Sequence, residues 1–530
     1  MAVAGKPGAL ARSKTAVRGN NKAAAGAAAG PNVEFVRNEL STLIMSYDLI
    51  RDCLGGEEIV KKAQTKYLPM PNPLDQGQEN LLRYENYLRR AIFYNVTART
   101  LSGLVGQIFL RPPVAKLPTN LQMVCDDCTG EGVPADQLAK STANYVLAYG
   151  RAGLMVDYPD MAQPASVAEI TAGTIRATFK LFAPWDVINW RTIKRGAEVI
   201  LSLVVIEEGF HARDDGFEVQ LGVQWRVLRL LPQGDDPTAP WTAQIEIWQG
   251  SAQGGYTNTQ IFYPRDVNGQ LLTELPFTFV GSENNASNPD NPPLSDMAHL
   301  NMGHYRNSAD YEESSYMVGQ PTPWVSGVTK QWIDDVFKGR IQLGSRAIIP
   351  LPINGAAGLL QASPNIMPKE AMDAKERQMV ALGAKLIQQA TVQRTATETD
   401  IENTAESSTL GASAKNVAAA FQFCFKWAAR FMGGAVDGIS YSLNTEFDLT
   451  YMDFNELLAI VKAWQAGVLT DPEIRDNLRR AGLATEDDAT ALPVMKAKAA
   501  AALEALKPAA PAPNLGGDPA KTGHPANNAN

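Results

Sequence analysis

Between Pro293 and Gly411 the chain sets two helical stretches on either side of a Pro- and Gly-rich insert, then adds a polar acidic loop. The first stretch, Pro293 to Gly319, reads PLSDMAHLNMGHYRNSADYEESSYMVG. The insert runs from Gln320 to Pro364 and includes the strand-like SRAIIPLPI. A second helix is expected over Met367 to Ala390, and the loop occupies Thr391 to Gly411. A helix of about 24 residues is about 36 Å long. This order constrains the fold more than any catalytic signature does, because the chain carries no convincing one.

A chain of 530 residues usually forms about two to four folding units, and 45% hydrophobic residues are ample for a substantial core. The net charge of -8 excludes a uniformly basic, nucleic-acid-binding surface. Four cysteines in the whole chain suit a reducing cytosol and argue against a disulfide framework. The basic N-terminus is followed by no apolar core before Asn32, so no secretory signal is read there. The stretch Val417 to Val436 comes nearest to a membrane span. Gln422, Lys426 and Arg430 interrupt it, while Val417, Phe421, Cys424, Ala428 and Phe431 share one helical face. A buried amphipathic helix is expected, and no membrane-spanning segment.

Residues 1 to 32 are rich in Ala and Gly and carry Lys6, Arg12, Lys14, Arg18 and Lys22 without an acidic residue. Disorder is expected, either as a basic arm touching DNA or an assembly partner or as a solubilising tail. The Pro/Ala-rich end, 507 to 530, reads the same way. From Val33 the pattern is helical, and apolar spacing of three and four predicts one helix from Glu79 to Phe109, ended by Arg111-Pro112-Pro113. A helix over Ala135 to Tyr149 leads through Gly150 into a strand at Gly153 to Tyr158. Between Thr174 and Val280 the period shifts to two, predicting antiparallel strands. A helix after the loop, strands in SYSLNTEFDLTY and a terminal helical hairpin complete an α+β reading. Thr470 is the expected cap of the last helix, with Glu473 three residues on.

Candidate chemistry is sparse. Cys125 and Cys128 have metal-ligand spacing, but no second Cys or His pair accompanies them. His299 and His304 lie five apart, so they diverge on a helix and read as packing or surface residues. The chain has no phosphate-binding GxxxxGK[ST] loop and no GxSxG turn. No catalytic, cofactor-binding or metal-ligating residue is therefore assigned, and no enzyme activity is expected. The acidic loop stands apart: Arg394 faces Glu398, Asp400, Glu402 and Glu406 in sequence, a net charge of -3, among eight Ser/Thr. It reads either as an exposed linker or as a loop projecting into a cavity. Pro293 to Gly319 also nets -3, from Asp296, Asp310, Glu312 and Glu313 against Arg306. Duplex DNA carries a charge about every 1.7 Å of axis, so a wall that lets it slide makes few strong phosphate contacts. Lys385 and Arg394 are candidates for transient ones.

At this point the chain resembles the tailed-bacteriophage portal proteins. PPLSDMAHLNMGHYRNSADYEESSYMVGQPTPWVSG is similar to the stem helix leading into the clip, and IIPLPINGAAGLLQASP to the return from clip to second stem helix. LFAPWDVINWR (Leu181 to Arg191) resembles a wing segment, and LLAIVKAWQAGVLTDPEIRDNL the helix–turn–helix near portal C-termini. The resemblance spans roughly Val33 to Leu483, and its weight lies in the order of the pieces.

It implies an arm at 1–32, a wing of helices then strands at 33–292, a first stem helix at 293–319 and a clip at 320–365. A second stem helix at 366–390, the tunnel loop with a long helix and wing strands at 391–452, a helical crown at 453–506 and a tail at 507–530 follow. It implies a closed homo-oligomeric ring of about twelve copies at one capsid vertex in the virion, assembled in the host cytoplasm. Double-stranded DNA would pass through it, and its partners would be terminase, the major capsid and scaffolding proteins and a tail adaptor. Under the resemblance Lys385, Arg394, Glu398, Asp400, Glu402 and Glu406 belong to the channel. Trp324, Trp332 and Phe337 either face the motor or tail, or are buried in the clip core. The competing readings are another virion component, a minor capsid protein or tail adaptor, and a metal-dependent phosphodiesterase.

Overall fold

The computed structural model describes residues 32–159, 169, 173, 175–232, 241–251, 254–320, 322–336, 350–361, 365–387, 408–445, 447, 454–466, 468–470, 473–475, 478, 491 and 493–498. The basic arm up to Pro31 and the tail from Lys507 lie outside them. The chain divides into two compact units, Met1–Thr445 and Glu446–Asn530.

The first unit begins with helices α1 (Asn38–Ser41), α2 (Ile44–Gly55) and α3 (Glu57–Lys62), then α4 (Gln78–Arg90) and α5 (Val96–Ile108). The single helix predicted from Glu79 to Phe109 is thus two, broken over 91–95. Local spacing is satisfied on both sides of the break. Asn95 caps α5 by accepting from Ala98 N–H at 3.0 Å. The decisive residue is 205 positions away. Asn301 Oδ1 accepts from Val96 N–H and Thr97 N–H, both at 3.1 Å, and from Thr97 Oγ1 at 2.9 Å. Its Nδ2 donates to Tyr94 O at 2.8 Å. One buried amide thus meets the Thr97 N–H and adds to the bond that Val96 N–H makes to Tyr94 O at 2.9 Å.

Next come β1 (Val114–Lys116), α6 (Gln122–Asp126), α7 (Ala135–Tyr149) and β2 (Arg151–Asp157). Gly150 between α7 and β2 has φ 75°, and a Cβ there would meet Asn291 O and Asp290 O at 2.8 Å. Only glycine suits both the left-handed backbone and that contact. Two antiparallel sheets follow. β2 lies between β3 (Thr178–Phe182) and β9 (Phe277–Gly281). The five-stranded sheet is a meander of β4 (Val187–Arg195), β5 (Glu198–Asp214), β6 (Val219–Pro232), β7 (Trp241–Gly250) and β8 (Tyr256–Phe262). The period-two stretches predicted these strands.

Arg151 was not singled out from the sequence, yet it is 2% exposed. Its guanidinium carbon lies 3.9 Å from the Trp190 ring centre and 3.7 Å from that of Phe279. It donates to Ser287 O at 2.9 Å, tying the loop after β9 to the sheet.

That loop leads into α8 (Ser295–Gly319), which is followed by β10 (Thr322–Ser326), α9 (Lys330–Val336), β11 (Ala356–Leu360), α10 (Met367–Ile387), α11 (Thr409–Met432) and β12 (Ser440–Ser442). Of the strands expected in SYSLNTEFDLTY, β12 is the described one, and it pairs with β1. Ser408 caps α11, accepting from Gly411 N–H at 3.0 Å. Val417, Phe421, Cys424, Ala428 and Phe431 are buried, as their common face required. No helix among the described residues is long and apolar enough to cross a membrane.

In the second unit α12 (Phe454–Gln465) precedes the turn at Thr470. Glu473 accepts from Thr470 N–H at 2.7 Å and from its hydroxyl at 2.8 Å, the side-chain return of a capping box.

Replacing Asn301 by Leu leaves the buried Thr97 N–H and hydroxyl without their acceptor, while Val96 N–H keeps Tyr94 O at 2.9 Å. A loss of about 2 kcal/mol is expected in urea unfolding of the first unit, against about 1 kcal/mol for Asn95→Ala.

Candidate functional site

The segment singled out in the sequence forms two long helices with a small sheet between them. In α8 the residues Met297, Ala298, Asn301, Met302, Tyr305, Ser308 and Ala309 are buried, repeating at three and four. This face holds the first half of the helix in the core; from Tyr311 to Gly319 every residue is at least partly exposed. The register with α10 is antiparallel. Gly383 lies against Met297, Glu376 against His304 and Lys375 against Asn307. Gly303 lets the helices close up, since a Cβ there would sit 3.1 Å from Lys375 Cε.

Polar groups complete this crossing. Lys375 Nζ donates to Asn307 Oδ1 at 2.7 Å. His304 is buried, its Nε2 3.2 Å from Glu376 Oε1, and its ring lies 6.0 Å from that of Tyr94. His299 is exposed. The two histidines therefore diverge, and His304 is a packing residue.

Several charges of the first helix have partners within the chain. Asp310 accepts from the Tyr87 hydroxyl at 2.6 Å. Glu313 is bonded to Arg90, and Arg83 lies 3.8 Å from its other oxygen. Arg306 donates to Tyr67 O at 2.8 Å. Two of the four carboxylates, the exposed Asp310 and the half-buried Glu313, thus clamp α8 to α4.

Beyond the helices, β10 pairs antiparallel with β11, from Thr322 opposite Leu360 to Ser326 opposite Ala356. The indole of Trp324 lies over Gly358, where a Cβ would be 3.0 Å from Nε1. Trp324 is nevertheless 44% exposed, and Leu359 and Leu360 are 65% and 69% exposed. Trp332 on α9 is half-buried. Phe337, Arg394, Glu398, Asp400, Glu402 and Glu406 lie outside the described residues. Lys385 belongs to α10, with its side chain also outside them.

The sequence-based search missed Asn301, Arg90 and Tyr87 as supports of this segment. Asn301 alone had a visible signal, a polar residue on the apolar face of a helix.

Cys125 and Cys128 gather no ligand set: no group of three or more His, Cys, Asp or Glu side chains suited to a metal occurs among the described residues. The Cys128 thiol donates to Val133 O at 3.3 Å, and burial pushes it up to about 12. Burial also raises Cys53 to about 12 and lifts Cys125 and Cys424 above the usual thiol range.

A family model described as a domain of unknown function (DUF4055) matches residues 293–432, the span of α8 through α11. No curated protein matches the chain. Among solved structures it is similar to a chain from the neck of a native GTA particle computed with C12 symmetry, at 13% identity and a TM-score of 0.38, covering 72% of this chain and 89% of that one. A chain from the virion of a native gene transfer agent (GTA) particle is 12% identical with a TM-score of 0.36, covering 80% of this chain and 98% of that one.

A raised thiol pKa means less thiolate, so at pH 8 a group near 12 is ionised to only about one part in ten thousand. In the folded protein a disulfide reagent should modify Cys125 first and slowly, with Cys53, Cys128 and Cys424 reacting only after unfolding. Rapid titration of all four without denaturant would contradict this burial.

Proposed function

We propose that the chain is the subunit of a portal-type ring, a channel at one capsid vertex through which double-stranded DNA is packaged and ejected. The observation that carries this reading is the unfinished state of the distal sheet. β10 and β11 form a two-stranded sheet outside the core, and such a sheet is marginal in water by itself. Besides its exposed Trp324, Leu359 and Leu360, Met317, Ile366 and Met367 at the neighbouring helix ends are each more than half exposed. Apolar surface concentrated on a protruding element marks association.

Copies of the same chain are the partner that this geometry favours. In this reading a sheet carried on two helices meets a different surface of its neighbour, and such head-to-tail contacts form a ring where the rotation closes. Along α10 the exposed Lys369, Glu370, Asp373 and Arg377 balance in charge, so a wall built from them holds a polyanion weakly. In this reading the ring sits in the virion, docks terminase and a tail adaptor at the distal sheet, and contributes no catalytic chemistry of its own.

The double substitution Trp324→Asp and Leu359→Asp tests the idea. It should leave the subunit folded by circular dichroism yet abolish rings by native mass spectrometry and negative-stain imaging. Unaltered rings in the variant would remove the distal sheet from assembly, and a wild-type chain that is monomeric at every concentration would end the ring reading. Deleting residues 395–406, which spares the Ser408 cap of α11, is expected to preserve the ring and lower the yield of DNA-filled particles.

A further inference from the structure

The five-stranded sheet ends in opposite ways at the two ends of its longest strand. β5 pairs with β4 as far as Ile206, and β6 pairs with β7 from Gln224 onward. From Gly209 to Val223 the two strands pair only with each other among the described residues. This leaves a ribbon about 20 Å long with both edges open. A two-stranded ribbon is marginal in water by itself. Phe210 supports this one from within by lying across Gly222. Val219 and Leu221, which share a face, are 41% and 50% exposed.

The turn that closes the ribbon is fixed by its own acids. Asp214 Oδ1 accepts from Gly216 N–H at 2.8 Å, and Asp215 Oδ1 accepts from Phe217 N–H at 3.0 Å and Glu218 N–H at 2.7 Å. The result is an aromatic ring held in water, for Phe217 is 102% exposed. Both aspartates are engaged in the turn, so the carboxylate left beside the ring is that of Glu218, also exposed. A large apolar side chain on a fixed apex, next to an unpaired charge, marks a contact surface.

The opposite end of β5 carries the complement. There Val199 is 67% exposed and stands directly across from Lys194 of β4. Arg195 is engaged by Glu274 at 3.1 Å. Lys194 and Arg191 are exposed, with no ion pair among the described residues. β4 is an outer strand, so this corner of the sheet is open. An aliphatic side chain beside bases matches an aromatic one beside an acid. The 17 residues of β5 set its two ends about 50 Å apart. Phe217 therefore cannot reach Val199 of its own copy.

We propose that the apex of the β5–β6 ribbon docks on the Lys194–Val199 corner of a second copy of this chain, with Phe217 against Val199 and Glu218 beside Lys194. The contact joins two different surfaces, so it repeats from copy to copy and does not close a pair. This inference rests on the ring reading and gives it a second contact, made by a different sheet from β10 and β11.

The test is disulfide trapping in the full-length chain under mild oxidation. One preparation carries Phe217→Cys and another Val199→Cys, both at exposed positions. Mixed as subunits before assembly, they are expected to give a crosslinked dimer that neither gives alone, mapped by mass spectrometry to positions 199 and 217. Glu218→Lys or Lys194→Glu should raise the concentration needed for half-assembly about fivefold, and the two reversals combined in one chain should bring it back. Wild-type rings without the 199–217 link would overturn this contact and leave the ring reading standing. A 217–217 link from Phe217→Cys alone would overturn the head-to-tail assignment, and reversals without effect on assembly would overturn the charge pairing. A wild-type chain that never assembles would overturn both readings.

Discussion

The carboxamide of Asn301 is the contact on which the long-helix segment depends. It is fully buried, and its hydrogen bonds run to the backbone of Tyr94, Val96 and Thr97. A helix break in the interior exposes backbone groups that water cannot reach, and each unmet group is costly. A single side chain projecting from α8 meets them. It thereby ties the start of α5 to α8, while Tyr87 and Arg90 tie α4 to the same helix through Asp310 and Glu313. Ser308 adds a further bond from the Ile92 N–H to its hydroxyl at 3.1 Å.

From this anchor the two ends of α8 have different lives. Toward its start, the helix is held by the loop 281–292. Asn285 Nδ2 donates to Asn416 O at 3.0 Å and Asn416 Nδ2 to Gly281 O at 2.9 Å, while Asp290 accepts from Glu283 N–H at 2.8 Å. Toward its end, the buried face gives way to the clamp formed by Asp310, Glu313, Tyr87 and Arg90, and then to open surface. A rod fixed at one end and free at the other can carry a small sheet to a distance without bending. The price is an element with little core of its own.

Elsewhere the same economy holds. Some polar groups meet partners across long sequence separations, as Arg151 does at Ser287 and Asn120 does at Gly433. Large apolar residues are buried on strands and helices alike: Trp190, Phe179 and Phe279 on strands, Phe421, Phe425 and Phe431 on α11. The helices are also stitched by amides and carboxylates, which fix orientation more sharply than apolar contact does.

Local periodicity by itself determined most of the elements. The period of two between Thr174 and Val280 named antiparallel strands, the common apolar face of Val417 to Phe431 named α11, and Thr470 with Glu473 named a helix start. Those signals are short-range, because side-chain direction repeats every 2 or 3.6 residues whatever the rest of the chain does. Tertiary structure alone decided the break between α4 and α5, the pairing of Asp310 with Tyr87 and of Glu313 with Arg90, and the burial of Arg151. Each depends on a partner roughly a hundred residues away or more, and composition around Glu79 to Phe109 contains nothing that points to Asn301. Charge counted along a helix could not say which carboxylates face solvent, since that is settled only when another helix brings its own donors alongside.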